Sequence, residues 1–161
     1  MMKPADWNVV RSLMGMNWDL WVGNELGTDT RPEEAVLFIK NLINRWRCRV
    51  DLHWIAQRDR YNFFHSHPAY AIRLVQMGGY VEEVVPKGAS IGNTYYRTWK
   101  PGQWGVVTPG YIHRVHRLLE PTGSLSLWIR GPVIREIMVG GFGTSGRLEM
   151  ESVIDRFEEA T

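Results

Sequence analysis

The sequence predicts an all-β core folded as one closed sandwich or barrel, flanked by an N-terminal helical arm and a short C-terminal helix. Three observations predict it. About eight short segments alternate apolar and polar residues with a period of two, Gly- and Pro-containing turns separate them, and no intervening stretch supplies the helical crossovers of a parallel sheet.

The arm comes first. Residues 1–30 are rich in Trp, Gly and Asn, with Trp7, Trp18 and Trp21 among them and no sustained periodicity, so one short helix is expected near Val9–Met14. Thr30 followed by Glu33 fits a capping box, Pro32 suits a first turn, and Ala35, Ile39, Leu42, Ile43 and Trp46 recur at helical spacing. The spacing predicts a helix from about Arg31 to Arg45. Residues 1–48 are thus expected to form an arm that packs on the barrel or on a partner subunit.

From residue 49 the period changes to two: Val50, Leu52, Trp54 and Ala56 share one face of a strand, and His53 and Ile55 the other. Further strands are expected at Tyr70–Met77, Tyr80–Val85, Thr94–Trp99, Gly105–Thr108, His113–Leu118, Leu125–Arg130 and Ile134–Val139. Turns fall at Gly78-Gly79, Pro86-Lys87-Gly88, Pro101-Gly102, Pro109-Gly110, Pro121-Thr122-Gly123 and Gly131-Pro132. This places the barrel at residues 49–140. In residues 141–161 a Gly-rich bend, GGFGTSG, precedes Met150, Val153, Ile154 and Phe157, the pattern of a short amphipathic helix on the outer surface.

Composition narrows the class. At 161 residues there is room for one domain with a real core, and 44% hydrophobic with 22% charged residues is ordinary globular composition. The net charge is +2 without a basic run, so neither a nucleic acid nor a membrane is expected as partner. The longest plainly apolar run, Ala35 to Ile39, is far short of the ~20 residues that span a bilayer. The single cysteine, Cys48, and a start, MMKPADW, without a secretory apolar stretch favour a cytoplasmic setting.

His65-Ser66-His67 is the most informative triplet, because alternate residues of an extended chain point the same way and aim two imidazoles at one interior point. Such pairs also occur as surface or core histidines. The turn Pro109-Gly110-Tyr111-Ile112-His113 delivers a third histidine onto a later strand, which a facing position brings to the same point.

HxH, then a strand ending in Gly-Gly, then PGxxH resembles the two sequence motifs of the cupin superfamily. A closer match is to a group of small cupin-like proteins with the pattern HxHPxxxxxxLxxGGYxE, PG, HRV and a late GPxxR. The corresponding stretches are His65–Glu82, Pro101-Gly102, His113-Arg114-Val115 and Gly131-Pro132-Val133-Ile134-Arg135. The resemblance covers about residues 49 to 140 and implies a jelly-roll barrel, the double-stranded β-helix, with His65, His67 and His113 holding one divalent metal ion. It carries no assigned reaction. It also departs from the general cupin pattern: Ala71 and Ile72 stand where the Glu ligand is expected, and Thr108 takes a Pro position. Three neutral imidazoles then leave open coordination positions, the usual form of a catalytic metal centre. A barrel that has lost its metal is the competing reading.

Around that site, Glu82 is the candidate general base or distant fourth ligand, with Tyr80 beside it, although Glu83 must face the opposite way and the sequence does not say which points inward. Arg73, Arg97 and Arg117 are candidate anchors for an anionic substrate, each with the alternative of an exposed strand arginine. His116, three residues past His113, is expected on the other face, and His53 as a core histidine that approaches the site. Trp54, Tyr70, Tyr95, Tyr96, Trp104 and Trp128 are candidates for a pocket lining or for core.

These readings point to a metal-dependent enzyme acting on a small molecule. Three imidazoles suit Fe(II), Ni, Mn or Zn, and the resemblance to cupin dioxygenases favours Fe(II). An isomerase or lyase using the metal and Glu82, or a noncatalytic binding or assembly module, are the alternatives. A homodimer is expected, with Trp18, Trp21 and the helix from Arg31 as its contact.

Overall fold

The computed structural model describes residues 4–23 and 31–153. One helix, α1 (Pro4–Met14), precedes twelve strands among these residues: β1 (Leu20–Val22), β2 (Leu37–Arg45), β3 (Cys48–Ile55), β4 (Phe64–His65), β5 (Ala71–Met77), β6 (Tyr80–Val85), β7 (Tyr95–Trp99), β8 (Trp104–Val107), β9 (Ile112–Leu118), β10 (Ser124–Arg130), β11 (Ile137–Phe142) and β12 (Leu148–Val153). They form two antiparallel six-stranded sheets, β1-β2-β3-β10-β5-β8 and β12-β11-β4-β9-β6-β7. The chain passes repeatedly from one sheet to the other, so each sheet mixes early and late strands and the two close face to face as a jelly-roll barrel.

Local chemistry explains the strands. Tyr80–Val85 is buried at all six positions, because its inner face enters the barrel and its outer face is covered as well. The turn before it needs glycine: Gly78 has φ +73°, and a Cβ there would meet the Gly123 carbonyl oxygen at 1.9 Å. Between the sheets, Val75, Tyr80, Trp99 and Val115 pack as one core cluster, and Ala71, Val107 and Trp128 as another.

Two expected helices are strands instead. The segment read as helical from Arg31 to Arg45 is a single 3-10 turn, Pro32–Glu34, followed by β2. The periodicity of Ala35, Ile39 and Ile43 is real, but Leu37–Arg45 finds a partner in β3 through the two-residue hairpin Trp46-Arg47, and pairing the open edge of β3 outweighs local helical preference. The supposed C-terminal helix begins in β12, where Leu148 to Val153 pair antiparallel with Phe142 to Ile137. The Gly-rich bend is the hairpin turn between them: Gly143 N–H donates to the Arg147 carbonyl at 2.9 Å. The rest of that predicted helix lies outside the described residues. Strands therefore extend on both sides of residues 49–140.

The arm is folded onto its own barrel. Leu13 of α1, Trp18, Ala35, Phe38 and Trp54 form a buried cluster on the outer face of the first sheet, with Trp18 stacked on Trp54 at 6.0 Å and its Nε1 donating to the Leu13 carbonyl at 2.7 Å. Trp18 is thus a core residue, which removes it from the expected dimer contact together with the helix from Arg31.

Candidate metal centre

β4 is only two residues long, but its register decides the site. His65 is the direct cross-strand partner of His113 on β9, so both imidazoles project to the same side of the sheet. His67 follows two residues later. Between them Ser66 faces away and is tied to β11, its N–H donating to the Met138 carbonyl at 2.8 Å and its Oγ accepting from Met138 N–H at 2.9 Å. The three rings gather with centroids 4.6 to 5.4 Å apart, and the ligand nitrogens all lie within 4.8 Å of one another. The Nε2 atoms of His67 and His113 are 2.8 Å apart.

Metal–imidazole bonds of about 2.0–2.1 Å place ligand nitrogens roughly 3–3.5 Å apart around one ion. The 2.8 Å between the Nε2 atoms of His67 and His113 is already close to that spacing. The chemistry of the cluster fits as well. Burial, followed by the neighbouring histidines, holds the His67 imidazole pKa well below its ordinary value, and burial pushes that of His113 down to about 4 against the opposing pull of Glu82. Both are neutral near pH 7, the form that donates a lone pair to a metal.

Behind His113 lies Glu82, entirely buried on the inner face of β6. Its Oε2 is 2.9 Å from His113 Nδ1, a close contact outside aligned hydrogen-bond geometry. The same carboxylate accepts from Arg73 Nη1 at 3.0 Å and Nη2 at 2.8 Å, from Trp99 Nε1 at 2.7 Å and from the Tyr111 hydroxyl. Burial pushes its pKa up, but His113 and Arg73 together outweigh burial and hold it far below the usual carboxylate range. Glu82 is an ionised carboxylate whose lone pairs are engaged, turned to the far side of a histidine.

Arg73 reaches it from the opposite sheet. Its guanidinium stacks 3.9 Å from the Trp99 ring, and its Nη1 donates to the Tyr80 hydroxyl at 2.7 Å. Tyr80 is 1% exposed and supports this pair from within the core. Glu83 takes the other face and binds Arg114, at 2.6 Å from its Nη2. Of the remaining arginines, Arg97 is exposed on the inward side of edge strand β7, 4.1 Å over the Trp99 ring, and Arg117 is exposed on the outer side of β9. His116 is on the outer face against Tyr96. His53 stacks on Trp128 at 4.7 Å, and Trp128 in turn lies 5.3 Å from His67. Of the aromatic candidates Trp128 reaches the centre, whereas Trp54 lies under α1 and Tyr70, Tyr96 and Trp104 are exposed on outer surfaces.

Reasoning from the sequence missed three contributors. Tyr111 belongs to the PGYIH motif and shares the face of His113 two residues on, so the period of two was a usable signal. Trp99 gave none beyond its place on β7. Asp59, buried in the loop before β4, lies 4.0 Å from His65 Nδ1 and accepts from Val115 N–H at 2.5 Å, and nothing local marks it.

The architecture has counterparts among solved structures. A DMSP lyase, DddQ of Ruegeria pomeroyi DSS-3, superposes with a TM-score of 0.51 at 14% identity, over 77% of this chain and 72% of the lyase. A cupin domain of Bordetella pertussis Tohama I matches with a TM-score of 0.44 at 16% identity, covering 66% of this chain and 100% of that domain. The chain shares its fold with the lyase. KdgF of a Halomonas species also aligns with the chain, at 17% identity and a TM-score of 0.44, over 71% of this chain and 95% of its own. No protein-family model and no curated protein matches the sequence. No helix among the described residues of the chain is long and apolar enough to cross a membrane.

Proposed function

We propose that this cupin is a metal-dependent enzyme of the dioxygenase type, with one Fe(II) held by His65, His67 and His113, acting on a small anionic molecule in the cytoplasm. The observation that carries the proposal is a cluster of three imidazole nitrogens within 4.8 Å, with no carboxylate among them. A ferrous ion there would supply a dication with open coordination positions for a substrate and O₂. The chain's own groups hold and orient the ligands. Ser66 anchors the HxH segment to β11, and Glu82 fixes the ring of His113 from behind so that Nε2 faces the centre.

Glu82 argues against the isomerase or lyase alternative. A general base needs a free lone pair and a pKa near the working pH, and this carboxylate has neither. Arg97 is the arginine placed to meet an anionic group, since Arg73 is already neutralised by Glu82 and Arg117 faces outward. Metal analysis of protein purified without chelator, with His65→Ala and His113→Ala beside it, tests the reading. Wild-type protein should retain close to one equivalent and the variants little. O₂ consumption by the Fe(II)-loaded protein with a panel of small carboxylates then separates oxygenase from noncatalytic binding. Equal metal in wild type and variants sinks the proposal.

A further inference from the structure

Two polar atoms on the inner face of the first sheet are not used by the fold. Ser126 is 1% exposed and Trp128 6%, yet Ser126 Oγ and Trp128 Nε1 have no hydrogen-bond partner among the described residues. A buried donor or acceptor left unpaired costs free energy, so each one in a native chain calls for a reason beyond stability. Comparable groups nearby are satisfied. Ser124, two residues earlier on β10, donates its hydroxyl to the Met77 carbonyl at 3.3 Å, and the Nε1 atoms of Trp54 and Trp99 donate to the Thr122 carbonyl and to Glu82. Asp51 is the cross-strand partner of Trp128, but its carboxylate is engaged by Asn41 at 2.9 Å, Arg49 at 2.9 Å and Arg130 at 3.4 Å. Both unpaired atoms belong to side chains beside the metal centre. The Trp128 ring lies 5.3 Å from that of His67 and 4.7 Å from that of His53, which is the cross-strand partner of Ser126. Together they make an uncharged row, an indole, a hydroxyl and an imidazole that burial holds neutral near pH 7.

We propose that Ser126 Oγ and Trp128 Nε1 are the specificity-determining end of the substrate site, binding an uncharged oxygen, a hydroxyl or a carbonyl, of a small acid whose carboxylate lies at the three histidines. The assignment rests on a divalent ion at those histidines. Charge divides the molecule between the two ends. A dication held by neutral imidazoles attracts the anionic end. A second carboxylate buried on the neutral row would cost far more than a hydroxyl or a carbonyl there. The indole N–H can only donate, so the group it meets must accept, whereas the serine hydroxyl donates or accepts and suits either oxygen. The row stands on β10 of the first sheet and Arg97 on the edge strand of the second, so the neutral and the anionic contacts fall on opposite walls of the barrel.

Calorimetric titration of the full chain loaded with Zn(II), which has no redox chemistry of its own, tests this with two pairs of probes: butyrate against 4-hydroxybutyrate, and pentanoate against 5-hydroxypentanoate. Each hydroxyl is too remote from its carboxylate to chelate the same ion well. At least one hydroxy acid should bind about tenfold more tightly than its parent acid. Ser126→Ala and Trp128→Phe should each reduce that preference to within about threefold, with zinc content and affinity for the parent acid unchanged. Trp128→Phe keeps a ring against His53 and removes the N–H, and Ser124→Ala should retain the full preference. A wild type that prefers neither hydroxy acid overturns the proposal, as does a preference that persists in either folded variant. Should a variant not fold, the wild-type comparison still decides. A wild type that takes up no zinc removes the metal centre and the assignment with it, and zinc analysis tells that failure from an absent preference.

Discussion

His113 and Glu82 form a fixed pair: the imidazole turns Nε2 toward His67 and presents Nδ1 to a carboxylate oxygen 2.9 Å away. The carboxylate is held in turn by Arg73 from the opposite sheet. Ligand orientation and barrel closure therefore depend on the same buried charge.

Glu82→Gln should separate these two effects by degree. It leaves the Arg73 guanidinium buried without its counter-charge, which costs about 3–5 kcal/mol of stability in denaturant unfolding. It should also weaken metal binding by about 10–100-fold, read by titration. Glu83→Gln, which disturbs the Arg114 pair and the hydrogen bond from the Thr94 hydroxyl on the outer face, should leave metal affinity unchanged.

Metal should stabilise the fold through the same three ligands. A divalent ion at a hundred times its dissociation constant adds about 2.7 kcal/mol, visible as a rise in Tm that a chelator reverses. The shift should disappear in His65→Ala and His67→Ala, because each leaves only two imidazoles in the cluster. An undiminished shift in either variant would place the ion elsewhere.

Stability should fall with acid through His53. Burial against Trp128 pushes its pKa from an ordinary 6.5 down to about 3, so the unfolded chain takes up a proton that the folded chain refuses. The contribution is fully present above 6.5 and is lost progressively as the pH drops toward 3. His67 and His113 act in the same direction. His53→Phe should flatten, without abolishing, the decline of ΔG with falling pH measured by urea unfolding.

Gly78→Ala should destabilise the barrel by well over ~1 kcal/mol, because the residue has positive φ and its Cβ would collide with the Gly123 carbonyl. Gly102→Ala is the control. Its φ is also positive, at +83°, but nothing lies within 4 Å of the added carbon, so only the backbone strain of ~1 kcal/mol remains. Thermal unfolding of the two variants should differ accordingly.

The barrel strands from Tyr80 to Arg130 were legible because alternation and turn residues agree there, and the structure places β6 on the very residues expected, Tyr80–Val85. Residues 37–45 were not legible. Apolar residues spaced three and four apart suit a helix, yet a nine-residue run beside an unpaired strand gains more by joining the sheet, and that partner is invisible locally. The Met150 segment failed for the same reason, its partner Gly140 lying across a hairpin. The Trp-rich arm, by its composition a candidate for a contact with another subunit, places Trp18 in its own chain's core.

Sequence alone pointed to a β-rich barrel and to three histidines on extended segments of known phase, since side-chain direction along an extended chain repeats every two residues. Tertiary structure decided everything that depends on register between strands. A one-residue slip reverses every side chain, and only the observed pairing, with its irregularity between Val81 and Glu82, turns Glu82 inward to His113 and leaves Glu83 on the outer face with Arg114.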